Sequence, residues 1–236
     1  LTNSNNSKYQ GLQLTGNGAA GINESSGSSN NIFTSSTIFG NTGDGILGAN
    51  TSLVEGNIIF NNTKAGINAS GGSSAILNNN IWGNTSSSIW LASSNNVVRG
   101  NKIIRSSQDG ITLSGSAASN RITNNVILKQ TQNGIGGSSY SGSNNTIRNN
   151  IITSSTVGIS LTAGSGDSSN FNYLYGNTTQ QSGITDGAGS ILISTTTPGF
   201  YAEDSGTSAA NTVNTTSTLR DGTKNWTADQ YKGFAV

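Results

Sequence analysis

Reactive side chains are scarce in this sequence and stand far apart. Its 236 residues include 10 Asp and Glu and 11 Lys and Arg, but no His, no Cys and no Met. The lack of imidazole and thiol excludes His-based and thiol catalysis and removes the usual soft-metal ligands. No catalytic residue, metal site or cofactor is therefore expected. Carboxylates remain, and glycoside hydrolysis needs two of them about 5 to 9.5 Å apart. Asp44 and Asp109 hold the same place in a repeat described below, but three repeats apart, which at strand spacing is about 14 Å. Glu24 and Asp186 stand near opposite ends of the repeats, Glu203 and Asp204 lie in the C-terminal segment, and Asp167 is alone in a Gly/Ser-rich loop. None of these forms a pair, so a carboxylate-pair hydrolase is disfavoured.

The basic residues are less evenly spread. Arg99, Lys102, Arg105, Arg121, Lys129 and Arg148 fall in one stretch that contains a single acid, Asp109. Arg105 and Lys129 share a position in consecutive repeats and are expected side by side. A strip of this kind suits the carboxylates of an acidic polysaccharide, and Arg99, Lys102, Arg105, Lys129 and Arg148 are the candidate glycan-binding residues. The competing reading is a solvated surface. A lyase that uses calcium to neutralise a uronate needs several oxygen ligands close together, and the sequence has no acidic cluster to supply them. Trp90 and Tyr140, each a single aromatic in an expected turn, could stack on sugar rings.

What positions these residues is a repeat. Gly21-Ile22, Gly45-Ile46, Gly66-Ile67, Ser88-Ile89, Gly110-Ile111, Gly134-Ile135, Gly158-Ile159 and Gly183-Ile184 recur every 21 to 25 residues. A fixed period in this range marks a stacked solenoid. Counting back nine residues from each step starts the rungs at Leu12, Ser36, Asn57, Asn79, Asn101, Asn125 and Asn149, with Asn172 as the eighth. Two residues on, Leu14, Ile38, Ile59, Ile81, Ile103, Ile127, Ile151 and Leu174 form an expected inward column, because side chains on a strand alternate between faces. The Ile of each Gly-Ile step forms a second. The position between, with Lys102 and Asn150, is expected to face outward. Five after each start come Asn17, Asn41, Asn62, Asn84, Ser106, Gln130, Ser154 and Asn177, read as a structural ladder at a turn where Asn tolerates left-handed backbone. The Gly before each Ile is read as serving a sharp turn. Phe39, Phe60, Trp82, Ile104, Leu128, Ile152 and Tyr175 are expected to fill a corner of the core.

Segments such as EGNIIFNNTKAGI, GNKIIRSSQDGI and NNVILKQTQNGI resemble the right-handed parallel β-helix repeat proteins, a group that includes pectate-lyase-like enzymes, phage tailspikes and periplasmic copper-maturation proteins. The resemblance implies an all-β chain: a right-handed parallel β-helix (solenoid) of about eight coils over residues 1–193. The segment TLRDGTKNWTADQYKGFAV resembles a strand-turn motif of extracellular and phage-associated β-proteins, so residues 194–236 are expected to form a C-terminal β cap or docking segment. Activity stays open, because one fold hosts unrelated functions.

Composition narrows the rest. At 31 % hydrophobic and 9 % charged residues, the chain is too apolar-poor for an ordinary globule and too charge-poor for most disordered chains, a conflict that the thin core of a solenoid resolves. A net charge of +1 gives no global case for a nucleic-acid partner, and no apolar run is long enough for membrane insertion. The missing Met at position 1 is read as a mature or excised segment whose signal peptide has been removed. An extracellular or cell-surface location follows. The expected function is a non-catalytic structural or adhesive module, part of a fibre or appendage that self-associates or meets a neighbouring domain through its ends. The alternative is a polysaccharide lyase, hydrolase or tailspike-like depolymerase acting on an acidic polysaccharide.

Overall fold

The computed structural model describes residues 3–24, 27–137, 140–162, 166–184, 187 and 189–193. The chain divides into Leu1–Thr196 and Thr197–Val236. The expected cap, with Phe200, Tyr201, Trp226, Tyr231 and Phe234, lies outside the described residues, as do Asp186, Glu203 and Asp204.

Each coil supplies three strands of mostly three residues, and equivalent strands of successive coils pair in parallel. The first sheet runs from Lys8–Gln10 to Ser168–Asn170, the second from Gln13–Thr15 to Ile191–Ile193, and the third from Ile22–Asn23 to Thr179–Ser182. No helix occurs among the described residues. The architecture is a right-handed parallel β-helix of about eight coils, the hand that strand twist favours for parallel crossovers.

Strands this short are stable only because equivalent strands pair from coil to coil, and because each sends its middle residue, or in the third sheet its end residues, into the core. In the second sheet Ile38, Ile59, Ile81, Ile103 and Ile127 are all 0 % exposed. Ile46, Ile67, Ile89, Ile111, Ile135 and Ile159 line the core from the third sheet. Two more columns escaped the sequence pattern. Phe33, Val54, Ile76, Val98, Ile122 and Ile147 come from the first sheet, and Ala69, Leu91, Leu113 and Leu161 from the far end of the third-sheet strands. The first-sheet column mixes three residue types, and it precedes the Gly or Ser of the next anchor step by twelve residues in five coils and by eleven at Ile147.

The register slips by one at the seventh coil. Ile127 pairs with Ile152, not Ile151; Ile152 is buried and Ile151 is 43 % exposed. The start of this coil is Asn150 and its corner residue is Ser155, whereas Asn149 and Ser154 take left-handed backbone at φ 55° and 57°. The cause is a turn one residue shorter: Asn133 pairs with Val157, so Gln132 has no counterpart. In the eighth coil Ile159 pairs with Gln181, and Ile184 only packs partly against the core. The column from Phe39 through Leu128 does not fill a corner. It lies half-buried on the outside of the second sheet, continues through Thr153 rather than Ile152, and stacks Phe39, Phe60 and Trp82 at 4.8 and 4.6 Å.

Polar ladders close the corners. Asn57 donates through its backbone N and Nδ2 to Oδ1 of Asn79, and Asn79, Asn101, Asn125 and Asn150 repeat the pattern toward the next coil. Asn17, Asn41 and Asn62 do the same toward Asn84, and Asn177 accepts from the Ser155 backbone. A third ladder joins Asn31, Ser52, Ser74, Asn96, Asn120 and Asn145. The left-handed backbone belongs to the residue before each corner, such as Gly40, Asn61 and Gly83, and not to the ladder residue itself.

Apart from Gly183 at φ 74°, the anchor glycines avoid left-handed backbone, so a sharp turn is not their reason. A Cβ at Gly45 would stand 2.5 Å from the Gly66 carbonyl oxygen, and one at Gly66 would stand 2.9 Å from Nδ2 of Asn84. Ser88 breaks the glycine column one coil below the place where Ser106 breaks the amide ladder. The two hydroxyls bond each other, and Asn84 Nδ2 is left buried without a partner. A Cβ in one coil and a corner amide in the next exclude each other. Ser106→Asn alone is therefore expected to destabilise, while Ser88→Gly with Ser106→Asn restores the ladder. The double variant should be more stable than the sum of the singles by about 1 to 3 kcal/mol, measured as a urea double-mutant cycle; additive effects would refute the coupling.

Candidate functional site

The basic strip wraps one edge of the rod. Arg99 ends a first-sheet strand and Lys102 opens the following second-sheet strand, both with exposed side chains. Arg148 occupies the first-sheet position two coils after Arg99, with Thr123 between them. Arg105 and Lys129 follow Ile104 and Leu128, which are paired, and so stand on consecutive coils one strand spacing apart, about 4.8 Å. All five are exposed. Arg148 lies over the ring of Phe171, 4.5 Å from its centroid, and so spends part of its charge on that contact.

Arg105 and Lys129 occupy positions where the backbone disfavours them. Their φ values are 54° and 58°, in a column otherwise filled by Gly16, Gly40, Asn61, Gly83, Ser154 and Gly176. Left-handed backbone costs a residue with a Cβ about 1 to 2 kcal/mol. Stacking alone gives no reason for long cations there. The one acid in this stretch does not neutralise them: Asp109 is 7 % exposed and accepts bonds from the backbone N and Nδ2 of Asn133 and from Oγ1 of Thr112.

The remaining described carboxylates are mostly parts of ladders. Glu24 is buried and accepts from Asn31, Ser52 and the Asn50 backbone. Asp167 ends the third ladder, accepting from the backbone and side chain of Asn145 and from the Tyr140 hydroxyl. Tyr140 is thereby corrected: it is 6 % exposed, and burial, the bond to Asp167 and that carboxylate's charge hold its phenol well above the ordinary range. It is a core residue and offers no face to a sugar. Trp90 lies in the strand Ile89–Leu91 of the third sheet, not in a turn, and is half-buried on the outer face.

Asp44 differs from the other acids. It is 5 % exposed and accepts one bond from the Ala65 backbone N at 2.9 Å. Burial raises its carboxyl above the usual value of 3.8, although the Ala65 N–H, the Lys64 charge and its own N–H oppose the shift. Around Asp44 lie Leu47, Lys64, Ala65, Asn68, Ser86 and Trp90, which with it line a shallow cavity of about 260 Å³. The sequence reading missed this grouping. Its signal was present, since Leu47, Asn68 and Trp90 each follow the Ile of a Gly-Ile or Ser-Ile step on consecutive coils.

The profile described as "Periplasmic copper-binding protein (NosD)" matches residues 1–133 and again 72–199. The chain belongs to the NosD family. The two overlapping matches reflect the repeat, which aligns with itself after a shift by whole coils. Among curated proteins no sequence matches. Among solved structures this NosD-family chain is similar to the Azotobacter vinelandii mannuronan C-5 epimerase AlgE4 A-module, at 17 % identity and a TM-score of 0.60, covering 78 % of this chain and 57 % of that one. The AlgE6 A-module from the same organism gives 18 % identity and 0.55, covering 70 % and 58 %. A mutant of the periplasmic alginate epimerase AlgG gives 16 % and 0.54, covering 79 % and 45 %. The chain thus spans about half the length of these structures, and at such identities the likeness concerns the fold.

The family description names copper, and the residues present do not fit it. Copper sites are built from imidazole, thiolate or thioether. This chain has no His, Cys or Met, and its described residues contain no group of three or more acidic side chains placed to hold a metal.

The raised Asp44 carboxyl fixes the sign of a pH effect. Below the unfolded value near 3.8 both states are protonated. As the pH climbs from there through the higher folded value, the unfolded chain gives up its proton first, and stability falls. Asp44→Asn keeps an acceptor for Ala65 and cannot ionise. Thermal melts should show it more stable than the parent at pH 7, with the advantage vanishing near pH 3; a variant less stable at pH 7 would mean that the carboxylate is favourably paired.

Proposed function

We propose that this NosD-family chain is a polysaccharide-binding β-helix module working outside the cytoplasm, in the periplasm or at the cell surface, and that it holds an acidic glycan on its basic strip without transforming it. The observation that carries the reading is the placement of Arg105 and Lys129. Two long cations stand on adjacent coils, at left-handed positions where stacking favours Gly or Asn, beside the exposed Lys102 and Arg99, while Asp109, the one acid in the stretch, is buried. The spacing of coils, about 4.8 Å, presents a regular row of charge to a polymer with regular carboxylates.

The comparisons support this direction. The family description says periplasmic, and structures with the same fold act on mannuronan and alginate, polymers of uronic acids. The non-catalytic part rests on the described carboxylates, of which Glu24, Asp109 and Asp167 are committed to ladder bonds. No helix among the described residues is long and apolar enough to cross a membrane. A second reading, modification of a uronate polymer, is favoured by the epimerase structures alone. It is tested by incubation with polymannuronate followed by NMR of the C5 configuration and an assay for unsaturated ends.

Retention on immobilised alginate is the direct test. Arg105→Gly with Lys129→Gly should lower affinity at least tenfold, and retention by the parent chain should weaken between low and physiological salt as the charges are screened within about 8 to 10 Å. The same double variant should be no less stable than the parent, because glycine relieves the left-handed backbone. Undiminished retention would refute the strip as a binding face, and turnover of polymannuronate would replace binding by catalysis.

A further inference from the structure

The cavity on the third sheet lies on a different strand layer from the basic strip, and its chemistry is different. A comparison within the molecule shows what is unusual about it. Asp44 and Asp109 occupy the same position three coils apart. Around Asp109, the residue three places later is Thr112 and the residue one coil on is Asn133, and both donate to the carboxylate. Around Asp44 these two places hold Leu47 and Ala65, which have no side-chain donor. The Ala65 backbone N bonds Oδ1, and no side-chain donor among the described residues reaches the carboxylate, although it is 5 % exposed.

Asn68, beside it, is equally unsatisfied. Its side-chain amide makes no hydrogen bond with a described residue, and its Oδ1 is buried. The protein therefore places in the wall of one cavity a carboxylate met only by backbone donors and an amide oxygen with no partner. An unmet buried acceptor costs about 1 to 3 kcal/mol. Beside Asn68 in the same row of the third sheet stand the half-buried Trp90 on the next coil and Leu47 on the one before, and Ala65, Lys64 and Ser86 complete the lining.

We propose that this cavity is a subsite for one neutral pyranose unit, stacked on Trp90 and donating hydroxyl hydrogen bonds to Asp44 and Asn68. A pyranose offers a C–H face for the indole and a rim of hydroxyls for the acceptors, and the cavity of about 260 Å³ is below the range of about 300 to 1,000 Å³ typical of drug-sized ligands. A cationic ligand is disfavoured because Lys64 already supplies positive charge next to Asp44. A uronate is disfavoured because its carboxylate would meet Asp44. The raised pKa of Asp44 accords with a carboxyl kept from water, its burial outweighing the backbone donors and the Lys64 charge. The site is independent of the basic strip, so the polymer recognised carries neutral residues or is distinct from the acidic one.

The probes are maltohexaose, cellohexaose, mannohexaose and xylohexaose, titrated into the full chain by calorimetry and by tryptophan fluorescence. At least one should bind with a Kd of about 1 mM or tighter. Trp90→Ala should weaken that binding at least tenfold and Asp44→Asn at least fivefold, because the amide places a donor where the sugar needs an acceptor. Asp109→Asn and the Arg105→Gly, Lys129→Gly pair should leave it unchanged, while Trp90→Ala should leave retention on alginate unchanged. Circular dichroism and thermal melts check folding, and if Trp90→Ala fails to fold, Asp44→Asn carries the test. The proposal is overturned if none of the four hexamers binds at up to about 20 mM, or if a folded Trp90→Ala or Asp44→Asn variant binds as well as the parent.

Discussion

A rod of three-residue strands holds together only if its buried corner amides, with few exceptions such as Asn84 Nδ2, find partners in neighbouring coils. Asn101 illustrates the demand. It is 1 % exposed, its N and Nδ2 point to Asn125 Oδ1, and Nδ2 also reaches the carbonyls of Ile76 and Arg99. No water is available to replace any of these, so an unmatched amide carries its full desolvation cost. The coil spacing, the identity of the corner residues and the allowed turn lengths all follow from that requirement. The core follows too: once the corners are fixed, the face of each strand that points inward is set, and in the second sheet a β-branched Ile fills its middle place at 0 % exposure in coil after coil.

The same requirement decides what could be read from the sequence. Asn and the Gly-Ile step recur because each contacts its own equivalent in the next coil, and such self-contact preserves residue type. The first-sheet column, Phe33, Val54, Ile76, Val98 and Ile122, was less conspicuous although it keeps its distance from the Gly-Ile step, because packing across a core constrains volume rather than identity. The slip at the seventh coil was hidden for a related reason. Asn149 and Asn150 are adjacent, and so are Ile151 and Ile152; only the hydrogen-bond register tells which Asn is the ladder and which the left-handed corner.

Function was harder to read than fold, because a candidate site here is a departure from the repeat and departures arise for two reasons. Ser88 and Ser106 depart together and compensate each other, which makes them structural. Arg105 and Lys129 depart at positions where glycine or asparagine would be better for the backbone, and nothing nearby compensates. Asp44 departs from the arrangement around Asp109 by lacking its two donors. The distinction lies in partners, and a single sequence contains residue types but not partners. Tyr140 shows the converse: an aromatic in a polar loop suggests a sugar platform, yet the structure spends its ring on the core and its hydroxyl on Asp167.

The family's copper connection has to be weighed on the same terms. A β-helix presents side chains from successive coils in rows about 4.8 Å apart, a geometry suited to polymers, whose units also repeat. It is poorly suited to enclosing a single ion unless several ligands are concentrated on neighbouring coils. Among the described residues none are concentrated: most buried polar positions are filled by Asn and Ser, and His, Cys and Met are missing altogether. What varies freely is the outer face. There the molecule places cations along one edge and an aromatic residue beside an underbonded carboxylate on another sheet, and both are features that an extended, hydroxylated or carboxylated chain could engage over several coils.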